Sequence, residues 1–247
     1  MNEPSINAVR AQLCPTGALR AAINMTNGLL VTAEASNGDP VGVSPDMAAL
    51  IAKELDVPLT LLPYPGPGYV ADALLNEEWD IGNIAAEPER AKTISFSSSY
   101  CEIQATYLVL ENSTYKTPDD VDSPGVRIAA KSRAAYELWL RENLKHATLE
   151  TSDSFENSKE MFVSQSLDAL AGLRPPLLKE QQALAGTRLL DESFTAVQQC
   201  IGCKPGIPEA SSWINEFVQR TIGNGTVQRL IDQHGVTGRL SVSPLCG

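Results

Sequence analysis

Arg90 is the residue of this chain whose type and surroundings best suit the binding of a small anion. It follows an apolar stretch, 81–86, that predicts a strand, and it precedes a run rich in hydroxyl side chains, 95–100. A strand would therefore deliver one arginine and several hydroxyl groups to the same loop. The planar guanidinium of arginine holds a carboxylate through two parallel hydrogen bonds. The alternative is a surface arginine paired with Glu87 or Glu89, an arrangement that contributes little stability.

This stretch resembles the ligand loop of type II periplasmic solute-binding proteins of family 3, the amino-acid-binding components of ABC transporters. In that family, an aspartate and an apolar strand lead to Thr-Pro-Glu-Arg and then to Phe-Ser-x-x-Tyr. The resemblance extends over nearly the whole chain and implies that the arginine holds a carboxylate of the ligand. The corresponding residues here are Asp80, Glu87-Pro88-Glu89-Arg90, Phe96-Ser97 and Tyr100.

The resemblance also implies a fold and a function. The fold is α/β, of the two-lobe periplasmic-binding-protein type II, in which each lobe is a mostly parallel sheet flanked by helices and two strands form the hinge. Lobe 1 would be 1–109 and 198–247, and lobe 2 would be 110–197. A small carboxylate, either an amino acid or an organic acid, would bind in the cleft as the lobes close on it. The implied protein is a monomer without cofactor or metal, and an ABC transporter permease is its expected partner.

The first loop departs from the family pattern in three ways. The distance from Asp80 to Arg90 is two residues shorter than the usual family spacing. Glu87 replaces the usual threonine and places an acid beside the arginine. Ala85 and Ala86 stand where amino-acid binders often carry serine or threonine, so only their backbone groups remain to contact a ligand.

Three more residues of lobe 1 are predicted to face the ligand. Asn27 follows the first predicted strand, where its amide would point into the cleft or serve a turn before Gly28. Tyr64 and Tyr69 flank a loop of prolines and glycines. They would form an aromatic wall of the site, or they simply pack against the lobe.

In lobe 2, the segment Lys131-Ser132-Arg133 follows a predicted strand and opens a predicted helix. A helix N-terminus presents N–H groups and positive potential, so it accepts a carboxylate readily. The segment corresponds to the Gly-Thr-Thr-type loop of the family but lacks its glycine. Ser132 is predicted to cap the helix and to contact the ligand. Lys131 and Arg133 either add positive charge to the site or are solvated loop cations.

The second ligand acid of the family is missing. Amino-acid binders carry an aspartate five residues after the aspartate of an Asp-Ala pair, and this second acid holds the ligand ammonium. Here the first aspartate is Asp168, and the matching position is Leu173, followed by Arg174. A buried ammonium without a counter-charge costs roughly several kcal/mol. Either Glu87 or another acid replaces it, or the ligand is an organic acid, such as a dicarboxylate bound by Arg90 and Arg174. Arg174 is otherwise a cation before a proline-started helix.

An enzyme on the same scaffold is the alternative function. Cyclohexadienyl dehydratases share this fold and use a cleft carboxyl group as general acid to eliminate water from a prephenate-like ring. The acids to consider are Glu87, Glu102 and Glu160, none of which lies in a diagnostic motif. A binder would show no turnover and micromolar or tighter affinity, about −8 kcal/mol or better. An enzyme would bury a carboxyl group with a raised pKa. A cytosolic sensor domain is the third possibility.

Alternating strand and helix patterns must position these residues, and they predict a mostly parallel sheet with helices on its faces. Ser44, Pro45 and Asp46 mark a helix start, because a capping hydroxyl, a proline and an acid all suit the first turn. Two C-terminal helices are expected to end at Gly223 and Gly235. The predicted strands are 19–25, 59–62, 81–86, 103–110, 126–130, 167–171 and 194–200, and the predicted helices are 44–57, 70–76, 134–144, 155–163, one after 175–176, 211–222 and 226–233.

Composition excludes several classes of partner. Hydrophobic residues make up 43% of the 247 residues, as in ordinary soluble α/β proteins, and the net charge is −11. Nucleic acids and anionic membranes both require basic surface, so neither is expected as a partner. No apolar run approaches the roughly 18 to 20 residues of a membrane span.

The N-terminal segment and the cysteines give weaker indications. MNEPSINAVRAQLCPTG contains neither a basic n-region nor an apolar h-region, so a secretory signal is not expected in it. The chain is therefore either cytosolic, or exported with Met1 as an added start. Cys200 and Cys203 have redox-motif spacing within a predicted strand, and we expect the five cysteines to be structural or incidental. The two histidines form no zinc pattern with them.

Overall fold

Alternating helices and strands build two units in the computed structural model, which describes residues 5–245. Unit 1 extends to Glu102 and resumes at Gln198, and unit 2 is Ile103–Val197. Met1 and Cys246 lie outside the described residues. The helices are α1 Ile6–Leu13, α2 Val43–Glu54, α3 Pro67–Leu74, α4 Pro88–Ala91, α5 Pro118–Val121, α6 Ala135–Asn143, α7 Phe155–Ser164, α8 Arg174–Ala183, α9 Pro208–Gly223 and α10 Thr226–Gln233.

The strands confirm the predicted α/β class. They are β1 Leu19–Asn24, β2 Ala33–Glu34, β3 Pro40–Val41, β4 Leu59–Tyr64, β5 Ile81–Ala85, β6 Ser95–Phe96, β7 Cys101–Leu110, β8 Arg127–Lys131, β9 Thr148–Ser152, β10 Ala169–Leu173, β11 Thr187–Leu189, β12 Thr195–Cys203 and β13 Ser241–Val242.

The sheet of unit 1 is mostly parallel. Strand β1 pairs in parallel with β4 and β5, and β12 runs antiparallel to β5 from Gln199 opposite Ala85 to Cys203 opposite Ile81. Buried Trp79 packs with α3, and its Nε1 donates to the Val70 carbonyl at 2.8 Å. Because β1 and β5 are parallel, the loops that follow them emerge at the same edge of the sheet.

Unit 2 repeats this arrangement with other strands. Strand β8 pairs in parallel with β9 and β10, while β7 is antiparallel to β10 and β11. Leu108, Ala129, Phe162, Leu170 and Leu177 belong to its core, which α7 and α8 help to cover. The loops after β8 and β10 therefore share one edge of this sheet.

Two helix ends differ from the predictions. Helix α2 begins at Val43, and its N-cap is Gly42 without a side-chain cap, so Ser44 lies inside the first turn. Glycine is required at position 42 because a Cβ there would lie 2.2 Å from the Leu30 carbonyl oxygen. At the end of α9 the left-handed residue is Gly225, not Gly223, whereas Gly235 follows α10 as expected. The polar strand β9 and helix α1 were not predicted.

The four cysteines within the described residues form no disulfide, and all four are buried. Cys200 and Cys203 both lie in β12. Three residues of strand span about 10 Å, which exceeds the roughly 7 Å between Cα atoms that a disulfide can bridge. Burial raises the pKa of the Cys203 thiol, which disfavours the thiolate form that redox chemistry requires. The CxxC spacing therefore makes no redox pair in this conformation.

No helix within residues 5–245 combines the length and apolar character that crossing a bilayer requires. In the same residues, no group of three or more His, Cys, Asp or Glu side chains is arranged to hold a metal ion.

Candidate functional site

Arg90 lies in the short helix α4, directly after β5. Glu87 is the N-cap of this helix, and Pro88 fits the first helical position because the missing N–H is not needed there. Glu87 is 7% and Arg90 is 5% exposed, so Arg90 is not a surface residue. Its Nη1 donates to the Ala85 carbonyl at 2.9 Å. The loop thus holds one carboxyl group and one guanidinium group, both buried, at the carboxyl end of a strand of the sheet.

The backbone of the preceding alanines is already engaged. Ala85 is buried, and its carbonyl accepts the bond from Arg90. The Ala86 N–H donates to the Gln198 carbonyl at 3.1 Å, which ties the start of the loop to β12. These contacts fix the position of the arginine instead of supplying the hydroxyl donors that serine or threonine would give.

The hydroxyl-rich segment 95–100 does not form an open cluster. Ser97 Oγ donates to the Ser98 carbonyl at 2.7 Å, and Ser99 Oγ lies 2.7 Å from Ser243 Oγ. Tyr100 is fully buried, and its hydroxyl lies 3.1 Å from Ser44 Oγ. That these hydroxyls meet the ligand beside the arginine stays a prediction. They hold the loops of unit 1 together.

Sequence reasoning missed a buried polar side chain in the strand that precedes this loop. Asn83, two residues before Ala85 in β5, is 1% exposed and donates through Nδ2 to the Ser44 carbonyl at 3.0 Å. Its Oδ1 has no hydrogen-bond partner among the described residues. An asparagine inside an apolar strand is a signal that could have identified it.

The remaining residues predicted for lobe 1 have local partners. Asn27 is 9% exposed, and its Oδ1 accepts from the Leu29 N–H at 3.2 Å, as in a turn asparagine. Tyr64 donates its hydroxyl to Glu78 at 3.0 Å, and burial, followed by this carboxylate, raises its pKa to about 12. Tyr69 is 56% exposed on α3. Their contacts with a ligand stay a prediction.

In unit 2, helix α6 begins at Ala135, one residue after the predicted start, but its cap differs from the prediction. The N-cap of α6 is Ala134, which has no side-chain cap, so the predicted cap at Ser132 is wrong. Arg133, the residue before this N-cap, takes a left-handed conformation with φ of 61°. The Ser132 N–H donates to the Ser152 carbonyl at 2.7 Å. Burial lowers the pKa of Lys131, although Glu156 partly opposes this effect.

The first turn of α6 is suited to an anion. The first hydrogen bond of the helix runs from the Leu138 N–H to the Ala134 carbonyl at 2.9 Å. The N–H groups of Ala135, Tyr136 and Glu137 are therefore not used by the helix itself. N–H groups in this position favour a carboxylate or another anion.

Glu137 is a second residue that sequence reasoning missed. Its side chain is fully buried, and its Oε2 accepts from the Arg133 N–H at 2.8 Å. Its Oε1 accepts from Arg141 Nε at 3.1 Å and Nη2 at 2.5 Å. An acid in the first turn of a helix is a familiar capping signal, which could have singled it out.

Arg174 is bound by its own unit. Leu173 is the N-cap of α8 and Arg174 is its first residue. Arg174 Nη2 donates to the Leu190 carbonyl at 3.1 Å and the Asp191 carbonyl at 2.6 Å. Its Nε is buried and has no hydrogen-bond partner among the described residues. The guanidinium thus holds a loop, and a role with a dicarboxylate stays a prediction.

The three candidate acids of the enzyme alternative lie in different surroundings. Glu87 is buried in the loop of Arg90. Glu102 is half-buried and accepts from Gln198 Nε2 at 2.8 Å. Glu160 is exposed on α7.

Unit 1 also contains a cavity of about 280 Å³ at the amino ends of its strands. Arg20 and Asp80 line it and pair with each other, with Nη2–Oδ1 at 2.7 Å and Nε–Oδ2 at 3.1 Å. None of the predicted site residues is part of its lining. The cavity is therefore separate from the loop of Arg90.

The chain matches a known family over most of its length. Residues 21–237 fit the sequence model of the bacterial extracellular solute-binding proteins, family 3. Among its relatives, the L-cystine-binding protein TcyJ of Escherichia coli strain K12 is 26% identical over 208 residues, which cover 81% of this chain and 76% of that protein.

Solved structures share the fold. An ancestral amino acid-binding protein, AncCDT-1, described as a precursor of cyclohexadienyl dehydratase, has a TM-score of 0.71 at 23% identity and covers 90% of this chain and 97% of its own. A putative binding component of an ABC transporter from Wolinella succinogenes, complexed with lysine, has a TM-score of 0.72 at 22% identity and covers 88% and 95%. The predicted type II periplasmic-binding-protein fold is confirmed.

Proposed function

Because the chain belongs to the bacterial extracellular solute-binding proteins of family 3, we propose that it binds an amino acid whose carboxylate is held by Arg90. The observation that carries this proposal is the buried arginine at the carboxyl end of β5, oriented by its bond to the Ala85 carbonyl. Low dielectric strengthens a charge-assisted bond at such a position. An ABC transporter permease is the partner to which the family context points.

The amino-acid class is supported by the relatives, one of which is named for L-cystine and one of which was crystallised with lysine. An amino acid also requires an acid for its ammonium. Strand β10 ends at Leu173 and is followed by Arg174, so no acid stands at that strand end. The buried carboxylate of Glu87, three residues before Arg90, is the acid that we assign to the ammonium.

Calorimetric titration of a panel of L-amino acids and L-cystine tests the proposal, followed by the best ligand against variants. Arg90→Ala should weaken binding about 100-fold, since truncating one partner of a buried charge pair costs about 2–5 kcal/mol. Arg90→Lys should lie between that variant and wild type, because an ammonium lacks the planar fork. The control is Arg188→Ala, another arginine that donates to a backbone carbonyl, at 3.2 Å from Ser113 O.

Two results would contradict the proposal. One is wild-type affinity in a folded Arg90→Ala protein. The other is the growth of product signals beyond one equivalent in a proton NMR time course with prephenate or arogenate, which would establish the dehydratase alternative. For Glu87, the Glu87→Gln variant should lose affinity for the amino acid while retaining affinity for its deaminated analogue.

A further inference from the structure

Glu137 is an acid with no exposure to solvent. It follows closely after the predicted ligand loop of unit 2, 131–133. A buried carboxylate is costly unless hydrogen bonds satisfy it. Three donors do so here: the Arg133 N–H at 2.8 Å, and Arg141 Nε and Nη2 at 3.1 and 2.5 Å. Arg141 itself is 61% exposed in its side chain, so the carboxylate is the buried member of the pair.

The bond to Arg133 is unusual in its position. In a capping box, the acid of the first turn accepts from the N–H of the N-cap residue. Here the N-cap, Ala134, makes no side-chain cap, and Glu137 accepts from the residue before it. That residue, Arg133, lies in the left-handed region with φ of 61°, a backbone conformation that residues other than glycine rarely adopt.

We propose that Glu137 is a positioning residue, which holds Arg133 in its left-handed conformation and thereby sets the turn that presents the first N–H groups of α6. The turn is fixed from its other side by the bond from the Ser132 N–H to the Ser152 carbonyl, at 2.7 Å. Glu137 is fully buried, whereas the Arg133 side chain is exposed. The consequence for ligand affinity rests on the proposed function, whereas the consequence for the turn does not.

Amide hydrogen exchange at Arg133 tests the turn directly. The Glu137→Ala variant removes the acceptor, so exchange at this amide should become about tenfold faster or more. Glu137→Gln keeps an acceptor oxygen and should retain most of the protection. Unchanged exchange at Arg133 in the folded Glu137→Ala variant would overturn the proposal, whatever the protein binds.

A double-mutant cycle separates positioning from general stabilisation. Glycine adopts a left-handed conformation without strain, so an Arg133→Gly background should not need the clamp. The probes are L-arginine and L-cystine. Glu137→Ala should weaken their binding about tenfold when residue 133 is arginine and less than about twofold in the Arg133→Gly background. An equal loss in both backgrounds would refute the positioning role. If neither probe nor any other amino acid binds wild type, the proposed function fails, and the exchange experiment still decides the role of Glu137.

Discussion

The loop of Arg90 in unit 1 and the turn of Arg133 in unit 2 offer an anion two different kinds of chemistry. In the first, the charged side chain is 5% exposed and is fixed by a carbonyl of its own loop. In the second, the arginine side chain is exposed, and the groups suited to an anion are backbone N–H groups at the start of α6. In the proposed site, unit 1 would hold an anion with a side chain and unit 2 would hold it with the backbone.

This difference explains why the sequence predicts the anion-binding group of the Arg90 loop more readily than that of the Arg133 turn. A buried arginine requires a specific residue, and Arg90 stands out for that reason. Backbone N–H groups require only a correctly placed turn, and Ala134 and Ala135 carry no functional side chain at all. The cost of the second arrangement is conformational, and it is concentrated at Arg133.

The largest expected effect concerns the packing behind Arg90. A Cβ at Gly202 would lie 2.6 Å from Ile94 Cγ2, and the Ile94 N–H donates to the Arg90 carbonyl at 2.9 Å. Gly202→Ala should therefore destabilise unit 1 by about 2 kcal/mol through overpacking. Chemical denaturation measures this loss. The control is Gly223→Ala in α9, where a Cβ meets nothing within 4 Å and a gain of up to about 1 kcal/mol is expected. Equal effects at the two sites would remove the packing argument.

A proline at position 135 tests the backbone chemistry of unit 2. Ala135 is the first residue of α6, where proline is tolerated, and Ala134 has ψ of 150°, which suits a residue before proline. Ala135→Pro deletes one N–H, so affinity for the best ligand should fall about tenfold, since a hydrogen bond to a charged group contributes about 1.5–3 kcal/mol. Calorimetry measures the loss, and Ala135→Gly, which retains the N–H, is the control. An unaffected Kd would show that this N–H does not contact the ligand.

Asp122 is a further case in which unit 2 holds an anion with backbone groups. Although burial raises its pKa, the N–H groups of Ala147, His146 and Lys145 lower it more, so the pKa lies below its ordinary value. A lowered pKa in the folded state adds stability above the unfolded pKa of about 3.9, and this stability is lost as the pH falls through the folded value. Asp122→Asn should therefore cost about 1 kcal/mol at pH 7 and much less at pH 2. A thermal unfolding series against pH checks this. A constant difference between the two proteins would contradict it.

Much of the fold could be predicted because its signals are local. The strand at Leu59, the parallel arrangement and helix α10 with its bounds Thr226–Gln233 follow from apolar periodicity and turn residues. Strand β9 could not be predicted in this way, because TLETS has no apolar run and takes its strand conformation from pairing with β8. Pairing with a neighbouring strand, and not a hydrophobic pattern, determines this strand.

The candidate site was less predictable because its geometry depends on distant partners. Ser44 reads as a cap, yet Gly42 takes that role because only glycine fits against the Leu30 carbonyl. The hydroxyl run reads as a ligand cluster, yet Ser99 and Tyr100 bond to Ser243 and Ser44, which are remote in the chain. Such partners leave no trace in local spacing.

The order in which a ribosome delivers the chain has a consequence for Arg90. Unit 2 is one continuous segment, Ile103–Val197, so all of it emerges before unit 1 is complete. The loop of Arg90 is tied to β12 through the bond from the Ala86 N–H to the Gln198 carbonyl, and β5 pairs with β12. Residues 81–90 are therefore synthesised early and can pair with β1, but they acquire β12 as a neighbour only after residue 203 has left the ribosome. During translation, the edge of the apolar strand β5 that later pairs with β12 is therefore unpaired. Unpaired strand edges of this kind are shielded by chaperones.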